Sequence, residues 1–159
     1  MNWVPHVTVA TVVEENSLFL LVHEWDKDRG RMVYNQPAGH WDEGESLLDA
    51  AIREAQEETA WRVELRYWLG LYSYVAPSNG FTYLRVAFVG QALERLNMPL
   101  DEGIHAAVWL DYATICEKQQ AGELRSPLVL QVIDDYRAGR NLPLEVIYRH
   151  GNHAAVSSG

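Results

Sequence analysis

The stretch "SLLDAAIREAQEET", residues 46–59, constrains the fold of this chain more than any other segment. It contains no Gly or Pro, and its apolar residues recur at the spacing of one helix face. These residues are Leu48, Ala51, Ile52, Ala55 and Thr59. We therefore predict an amphipathic helix over 46–59 that packs on a core through this face, with Ser46 as its N-cap.

The segments around this helix alternate between strand-like and helix-like composition. We predict an antiparallel hairpin from about His6 to Trp25, long antiparallel strands over 61–75 and 81–93, and a short strand over 105–111. Two more helices are predicted over 112–120 and 126–139, the second with Ser126 as N-cap and Gly139 as stop. This order predicts an α+β sandwich, with a mixed or antiparallel sheet between helices on its two faces.

Length, charge and cysteine content limit the classes of function. The 159 residues, 48% of them apolar, predict one domain over 1–150 and a flexible tail over 151–159. A formal net charge of −9 argues against an extended nucleic-acid interface. The chain has no apolar run long enough for a membrane, no signal-peptide pattern at its start, and Cys116 as its single cysteine, so we expect a cytoplasmic protein.

The predicted helix also carries a face of carboxylates. Glu54, Glu57 and Glu58 fall within a sector of roughly 100°, which we expect to be exposed, and Arg53 adjoins them. Carboxylates at this spacing can converge on one or two hard cations, while a free one takes a proton from water. The alternative is an ordinary solvated helix face with Arg–Glu pairs.

The loop before the helix completes a recognisable pattern. Gly39 permits a close backbone approach, so that its carbonyl oxygen can act as a further metal ligand, and Glu45 can hold the loop to the helix. Gly39, five residues, Glu45, seven residues and then "REAQEE" at 53–58 resemble the signature box of the Nudix hydrolase family. Six of the seven fixed positions match. The departure is Ala60 in place of a helix-closing Gly, so the helix either ends in a left-handed alanine or runs on slightly.

The resemblance extends beyond the box. The segments "PHVTVA", "NQPAGH", "LRSPLV" and "LPLEVI" are similar to the NudJ group of bacterial Nudix phosphatases, over roughly residues 5–147. This implies an α/β/α Nudix sandwich, a Mg²⁺ or Mn²⁺ cofactor and a monomer. It also implies release of phosphate from nucleoside tri- and diphosphates and from the thiamin pyrimidine precursor diphosphate. By position, Glu54, Glu57 and Glu58 are then the metal-binding and catalytic carboxylates, and Arg53 orients them.

Several residues outside the box are candidates for substrate binding. Gln36, His40 and Arg85 are the residues that we assign to this role, because they adjoin the Gly39 turn or match phosphate oxygens. Further candidates are Arg125 for phosphate, Glu102 for the metals, and Tyr34, Trp41, Tyr72, Tyr74 and Tyr83 for stacking on a ring. Each has an ordinary alternative: core packing for the aromatics, a surface salt bridge for the arginines and a solvated turn for Glu102. The six histidines show no zinc-ligand spacing.

Two other functions fit the same residues. One is a Nudix pyrophosphohydrolase that gives a nucleoside monophosphate and pyrophosphate, or that cleaves substrates like ADP-ribose. The other is a module that binds nucleotides without cleaving them, although such a module has no need for Arg53 and the three glutamates together. Assay of the released product separates these possibilities.

Overall fold

The structure, a computed structural model, describes residues 2–151. The strands are β1 (His6–Glu15), β2 (Leu18–Asp26), β3 (Arg31–Asn35), β4 (Ala38–His40), β5 (Trp61–Val75), β6 (Thr82–Arg95) and β7 (Ile104–Asp111). The helices are α1 (Leu47–Thr59), α2 (Tyr112–Gln120) and α3 (Leu128–Arg137), followed by a 3₁₀ turn at Leu144–Val146. Apart from Gly151, the tail expected over 151–159 lies outside the described residues.

The strands form one mixed sheet with the central order β3-β2-β1-β6-β5. β1 runs parallel to β6 over its length from His6 to Val13, whereas the other strand pairs are antiparallel. β4 pairs with the start of β1, and β7 pairs with β2. The parallel pair therefore decides between the two predicted sheet types in favour of the mixed one.

The predicted hairpin of β1 and β2 exists only at its tip. Its described pairs are Glu14 with Phe19 and Glu15 with Leu18, after which the two strands separate. The remainder of β1 pairs with β4 and β6, and the remainder of β2 pairs with β3 and β7. Because β6 for β1 and β7 for β2 are partners distant in sequence, local turn chemistry did not predict this divergence.

Helices cover both faces of the sheet, as predicted. On one face, Ala50 and Ala51 of α1 pack with Val9, Val86 and Phe88 of the sheet. On the other face, the buried residues of α2 and α3 pack against β2, β5 and β6. The sheet is thus the middle layer of a three-layer α+β sandwich, and its two apolar faces form the core.

Helix α1 begins and ends at the residues that the sequence indicated. The Ser46 hydroxyl accepts a hydrogen bond from the Asp49 backbone N–H at 3.0 Å. Thr59 is the last helical residue, and Ala60 follows with φ of 61°, donating its N–H to the Gln56 carbonyl at 2.8 Å. The helix therefore closes with a left-handed alanine and does not run on.

The two shorter helices match the prediction less uniformly. α2 has the predicted bounds, whereas α3 begins two residues after Ser126, whose hydroxyl accepts a hydrogen bond from the Leu128 N–H at 3.2 Å. Gly139 follows α3 with φ of +87°, which suits a helix stop. No helix within residues 2–151 combines the length and apolar character needed to cross a membrane.

Candidate active site

A cleft with a volume of about 610 Å³ opens beside the N-terminal half of β1 and the loop that carries β4. Its wall is formed by β4, by the β5–β6 turn, by the end of β2 and by the segment that enters α3. Two glutamates of α1, Glu54 and Glu58, also line it. The cleft therefore connects the carboxylate helix to a cavity of the size typical for small-molecule ligands.

Three carboxylates converge at one side of this cleft. Glu54, Glu57 and Asp101 each place a carboxylate oxygen within 4.8 Å of the others. The Asp101 N–H also donates to the Glu57 carbonyl at 2.9 Å, which ties the β6–β7 loop to α1. Glu54 belongs both to this cluster and to the cleft, so a cation held here would face a ligand in the cleft.

Asp101 is a member that the sequence reasoning missed. We considered its neighbour Glu102 in "LDEG", but Glu102 is exposed and lies outside the cluster. Both acids occupy the same turn, and only the hydrogen bond from Asp101 to α1 shows which one approaches the helix. Two adjacent acids in a turn carry no such information in the sequence alone.

Glu58 does not lie on an exposed face, contrary to our expectation. Its side chain is almost fully buried, with 8% of the residue exposed, and it accepts a hydrogen bond from the Ala38 N–H at 2.8 Å. Burial raises the pKa of Glu58 to about 9, and the nearby Glu24 carboxylate adds to this shift. The helix turns this position towards β4, whose unpaired backbone N–H needs an acceptor.

Gly39 is required here for space. A Cβ at this position would overlap the carboxyl group of Glu54. Gly39 lies in β4 opposite Val9 of β1, so its backbone is fixed by the sheet and the Glu54 carboxylate packs directly against it. A backbone held this close to converging carboxylates fits a hard, oxygen-ligated divalent cation such as Mg²⁺ or Mn²⁺.

Arg53 connects the carboxylates. Its Nε and Nη2 donate to both oxygens of Glu45, at 3.0 and 2.7 Å, while Nη1 donates to Glu54 at 2.7 Å and to Glu57 at 3.2 Å. Nη2 also donates to the His40 carbonyl at 3.1 Å. The hydrogen bonds from Arg53 lower the pKa of Glu45, whereas burial raises the pKa of Glu54. One guanidinium thus fixes the loop and two of the carboxylates together, and Glu45 holds the loop to the helix as expected.

The assigned substrate residues occupy different positions. His40 and Arg85 line the cleft, whereas Gln36 is 1% exposed and lies outside the lining. Arg85 donates to Gln36 Oε1 at 2.9 Å and to Asn35 Oδ1 at 3.0 Å, and the Gln36 amide donates to the Val129 carbonyl at 2.7 Å. Burial lowers the pKa of Arg85 to about 10. Gln36 therefore lies behind the cleft wall and binds Arg85, which is part of that wall.

The aromatic candidates also separate into two groups. Tyr74 and Tyr83 are cross-strand neighbours on β5 and β6 and line the cleft. Tyr34 stacks on His23 with ring centroids 4.4 Å apart, and Tyr72 donates to Asp135 at 2.7 Å. Trp41 uses its ring N–H for the Glu45 carbonyl. Among these five, only the Tyr74–Tyr83 pair is placed to contact a ring in the cleft.

Comparison with known proteins agrees with this geometry. The family model described as the NUDIX domain matches residues 4–131, which include the carboxylate helix, the Asp101 loop and the cleft. The chain belongs to the Nudix hydrolase family. It is therefore an enzyme by family, and Gly39, Glu54 and Glu58 of the Nudix box line the cleft.

Three relatives illustrate the range of similarity. The chain is 38% identical to Phosphatase NudJ of Escherichia coli (strain K12) over 145 residues, which cover 90% of both chains. It is 40% identical to a solved Nudix hydrolase from Nitrosomonas europaea, with a TM-score of 0.87 and coverage of 92% and 98% of the two chains. The Nudix domain of Shewanella oneidensis NrtR, solved with ADP ribose, shares the fold alone, at 18% identity and a TM-score of 0.68 over 86% and 88%.

Proposed function

We propose that this Nudix hydrolase cleaves phosphoanhydride bonds in small nucleotides, and in the thiamin pyrimidine precursor diphosphate, with Mg²⁺ or Mn²⁺ as cofactor and orthophosphate as product. The observation that carries this proposal is the convergence of Glu54, Glu57 and Asp101 at the edge of a ligand-sized cleft. The resemblance to Phosphatase NudJ over 90% of the chain favours orthophosphate as the leaving product. All proposed residues lie in one chain, so a monomer suffices.

The proposed roles follow from the contacts of each side chain. Glu54, Glu57 and Asp101 would hold the cation, with Glu58 and the Gly39 carbonyl as further oxygen donors. When bound, the cation supplies charge neutralisation and polarisation of the diphosphate. Arg53 keeps the carboxylates in register through its bonds to Glu45, Glu54 and Glu57.

A carboxylate must also accept the proton of the attacking water. Glu54 and Glu58 are the acids of α1 that line the cleft, so the acceptor is a carboxylate oxygen of one of them. Glu58 Oε1 already accepts the Ala38 N–H, which leaves Oε2 for this role. Comparison of pH–rate profiles for Glu54→Gln and Glu58→Gln distinguishes the two, because replacement of the base removes the acidic limb of the profile.

The proposal is tested with Mg²⁺ and a panel of ATP, GTP, ADP, ADP-ribose and the thiamin pyrimidine diphosphate, with orthophosphate resolved from pyrophosphate. We expect orthophosphate from several substrates, its loss with EDTA, and a loss of roughly 10³-fold or more in kcat for Glu57→Gln with an unchanged circular dichroism spectrum. Glu102→Gln is the matched control, because it removes one charge from the loop beside the cluster.

Each contrary outcome has a definite meaning. Pyrophosphate with a monophosphate would make the chain a Nudix pyrophosphohydrolase and not a phosphatase. Nucleotide binding without any product would identify a binding module. Full turnover by Glu57→Gln would show that the cluster is not the catalytic centre.

A further inference from the structure

Glu24 is a carboxylate of the cleft that has no role in the Nudix box. It lies near the end of β2 with 8% of the residue exposed. Its Oε1 accepts hydrogen bonds from Arg125 Nη1 at 3.1 Å and from Asn35 Nδ2 at 3.3 Å. No group within residues 2–151 donates a hydrogen bond to its Oε2, and the side chain lines the cleft. The structure thus holds one carboxylate oxygen in place and leaves the other available to a ligand.

Both neighbouring strands fix the backbone at Glu24. Glu24 pairs with Val33 of β3 in unbroken register, and on the other edge the register with β7 shifts so that His105 is the extra residue on β7. Such irregularities occur frequently beside active sites. Burial raises the pKa of Glu24, while the Arg125 guanidinium and the Asn35 amide act in the opposite direction. Among residues 2–151, Thr11 Oγ1 is the side-chain polar atom that is fully buried without a partner, so Glu24 Oε2 keeps access to solvent from the cleft and a donor on a ligand could replace water there.

The surroundings of Glu24 indicate the chemistry of that donor. Asp26, Asp28 and Glu58 line the same cleft together with three arginines. These arginines already bind protein groups: Arg29 binds Asp26, Arg85 binds Gln36 and Asn35, and Arg125 binds Glu24. A phosphate group at this end would therefore compete with these partners and meet the acids. A second divalent cation is disfavoured because Arg125 already binds Oε1. The cross-strand pair of Tyr74 and Tyr83 supplies an aromatic wall for a flat ring. The geometry fits an uncharged N–H group on the edge of a nitrogen heterocycle.

We propose that Glu24 is a specificity-determining residue, which selects substrates with an amino group on their ring by accepting the amino N–H at Oε2. This inference rests on the proposed function, because it places the ring of the substrate in the cleft and the diphosphate at the carboxylate cluster. Arg125 and Asn35 are positioning residues that hold the Glu24 carboxylate. A ring with an oxo group or a hydrogen in place of the amino group lacks this exocyclic donor to Oε2 and is a poorer substrate.

Two substrate pairs that differ in one ring substituent test the proposal: CTP against UTP, and GTP against ITP. For at least one pair we expect a kcat/KM in favour of the amino compound by roughly tenfold to a hundredfold, the range for a hydrogen bond to a charged group. Glu24→Gln should reduce this ratio to within about twofold or invert it, because the amide can offer an N–H instead of an acceptor. The exposed Glu117→Gln on α2 is the charge-matched control and should keep the wild-type ratio.

Arg125→Gln and the binding of nucleoside monophosphates provide two further tests of the role of Glu24. If Glu24→Gln does not fold, Arg125→Gln at a more exposed side chain should also weaken the discrimination, because it releases the Glu24 carboxylate. Calorimetric binding of CMP and UMP in EDTA reports on Glu24 without hydrolysis, so a failure of the proposed function remains distinguishable. Equal wild-type preference for both members of each pair, or a ratio that survives Glu24→Gln, would overturn the proposal. A changed Mg²⁺ requirement with an unchanged ratio would make Glu24 a cation ligand instead.

Discussion

The three glutamates of α1 experience three different environments, although they lie within five residues of each other. The Glu54 carboxylate packs on Gly39 and binds Arg53, and Glu57 is the most exposed of the three, with 39% of its side chain accessible. Glu58 is buried against β4. Their charges are therefore not equivalent, and substitutions at each position should have separable effects.

Substitution of Gly39 should damage the site more than the fold. In Gly39→Ala the new methyl group must displace the Glu54 carboxyl group, which is the far end of a flexible side chain. We expect the free energy of unfolding to change by less than about 1 kcal/mol. Mg²⁺ affinity and kcat should each fall by roughly tenfold or more, because the displaced Glu54 carboxylate is a proposed ligand of the cation. Urea unfolding and metal titration measure the two effects.

Gly44→Ala is the matched control for this substitution. Gly44 has φ of +85° and open space around its Cβ position, so alanine there is strained but displaces nothing. It should lower stability by about 1 kcal/mol and leave metal affinity unchanged. The same profile in both variants would show that Gly39 is needed for conformation and not for space.

The raised pKa of Glu58 predicts a pH-dependent stability of the metal-free protein. The folded state binds the Glu58 proton more tightly than the unfolded state, since its pKa is about 9 against the ordinary 4.5. The contribution of protonated Glu58 to the free energy of unfolding is therefore complete below pH 4.5 and is lost as the pH rises towards 9. In EDTA we expect the free energy of unfolding to fall by about 1 kcal/mol per pH unit across this range.

Glu58→Gln isolates this effect. The amide oxygen can still accept the Ala38 N–H, but it has no proton to lose. Urea titrations at several pH values should therefore give a flatter dependence for the variant than for the wild type. An equal slope in both proteins would assign the dependence to other groups.

At the scale of the element, the position of α1 depends on the capping residues at its two ends and on the alanines of its buried face. Ser46 and Ala60 bound the helix, and Ala50, Ala51 and Ala55 allow its close approach to the sheet. The helix backbone and the β4 strand are thereby fixed relative to each other. This contact places Glu54 against Gly39 and Glu58 beneath Ala38.

Glycine in place of the left-handed residue that ends α1 should increase the stability of the protein. Ala60 has φ of 61°, where glycine is more favourable by about 1 kcal/mol. We expect Ala60→Gly to raise the free energy of unfolding by up to about 1 kcal/mol, reduced by the loss of one buried methyl group. The control is Ala121→Gly at the end of α2, where φ of −78° is right-handed and glycine should lower stability. The same sign in both variants would contradict the left-handed assignment.

At the scale of the whole molecule, the candidate site joins segments that are far apart in the chain. α1 and the Asp101 loop supply the carboxylate cluster, while β2, β6 and the segment before α3 supply Glu24, Arg85 and Arg125. Because the cluster contains converging negative charges, a bound cation should stabilise the fold as a whole.

Addition of Mg²⁺ should therefore raise the melting temperature. At a hundredfold excess over the dissociation constant, the gain is about 2.7 kcal/mol, which corresponds to roughly 5 to 10 °C for a domain of this size. Differential scanning calorimetry with Mg²⁺ and with EDTA measures it. Glu57→Gln should lose most of this shift and Glu102→Gln should retain it. A shift of equal size in Glu57→Gln would place the cation elsewhere.

The sequence predicted the regular parts of this structure well because their signals are local. The periodicity of 46–59, the cap at Ser46 and the strand composition of 61–75 each depend on neighbouring residues, and each appears where expected. The divergence of β1 from β2 was missed, since it depends on partners that become adjacent only in the folded sheet. Glu102 was considered in place of Asp101 for the same reason.

The sequence by itself determined the family, the three-layer fold class and the glutamates of α1, because these follow from motif spacing and from the apolar periodicity of each element. Only the tertiary structure decided that Glu58 is buried, that Asp101 completes the cluster, that Gln36 lies behind the wall and that Glu24 faces the cleft. These properties depend on contacts between segments distant in the chain. Burial and the pairing of polar groups arise from such contacts, so a short stretch of sequence does not reveal them.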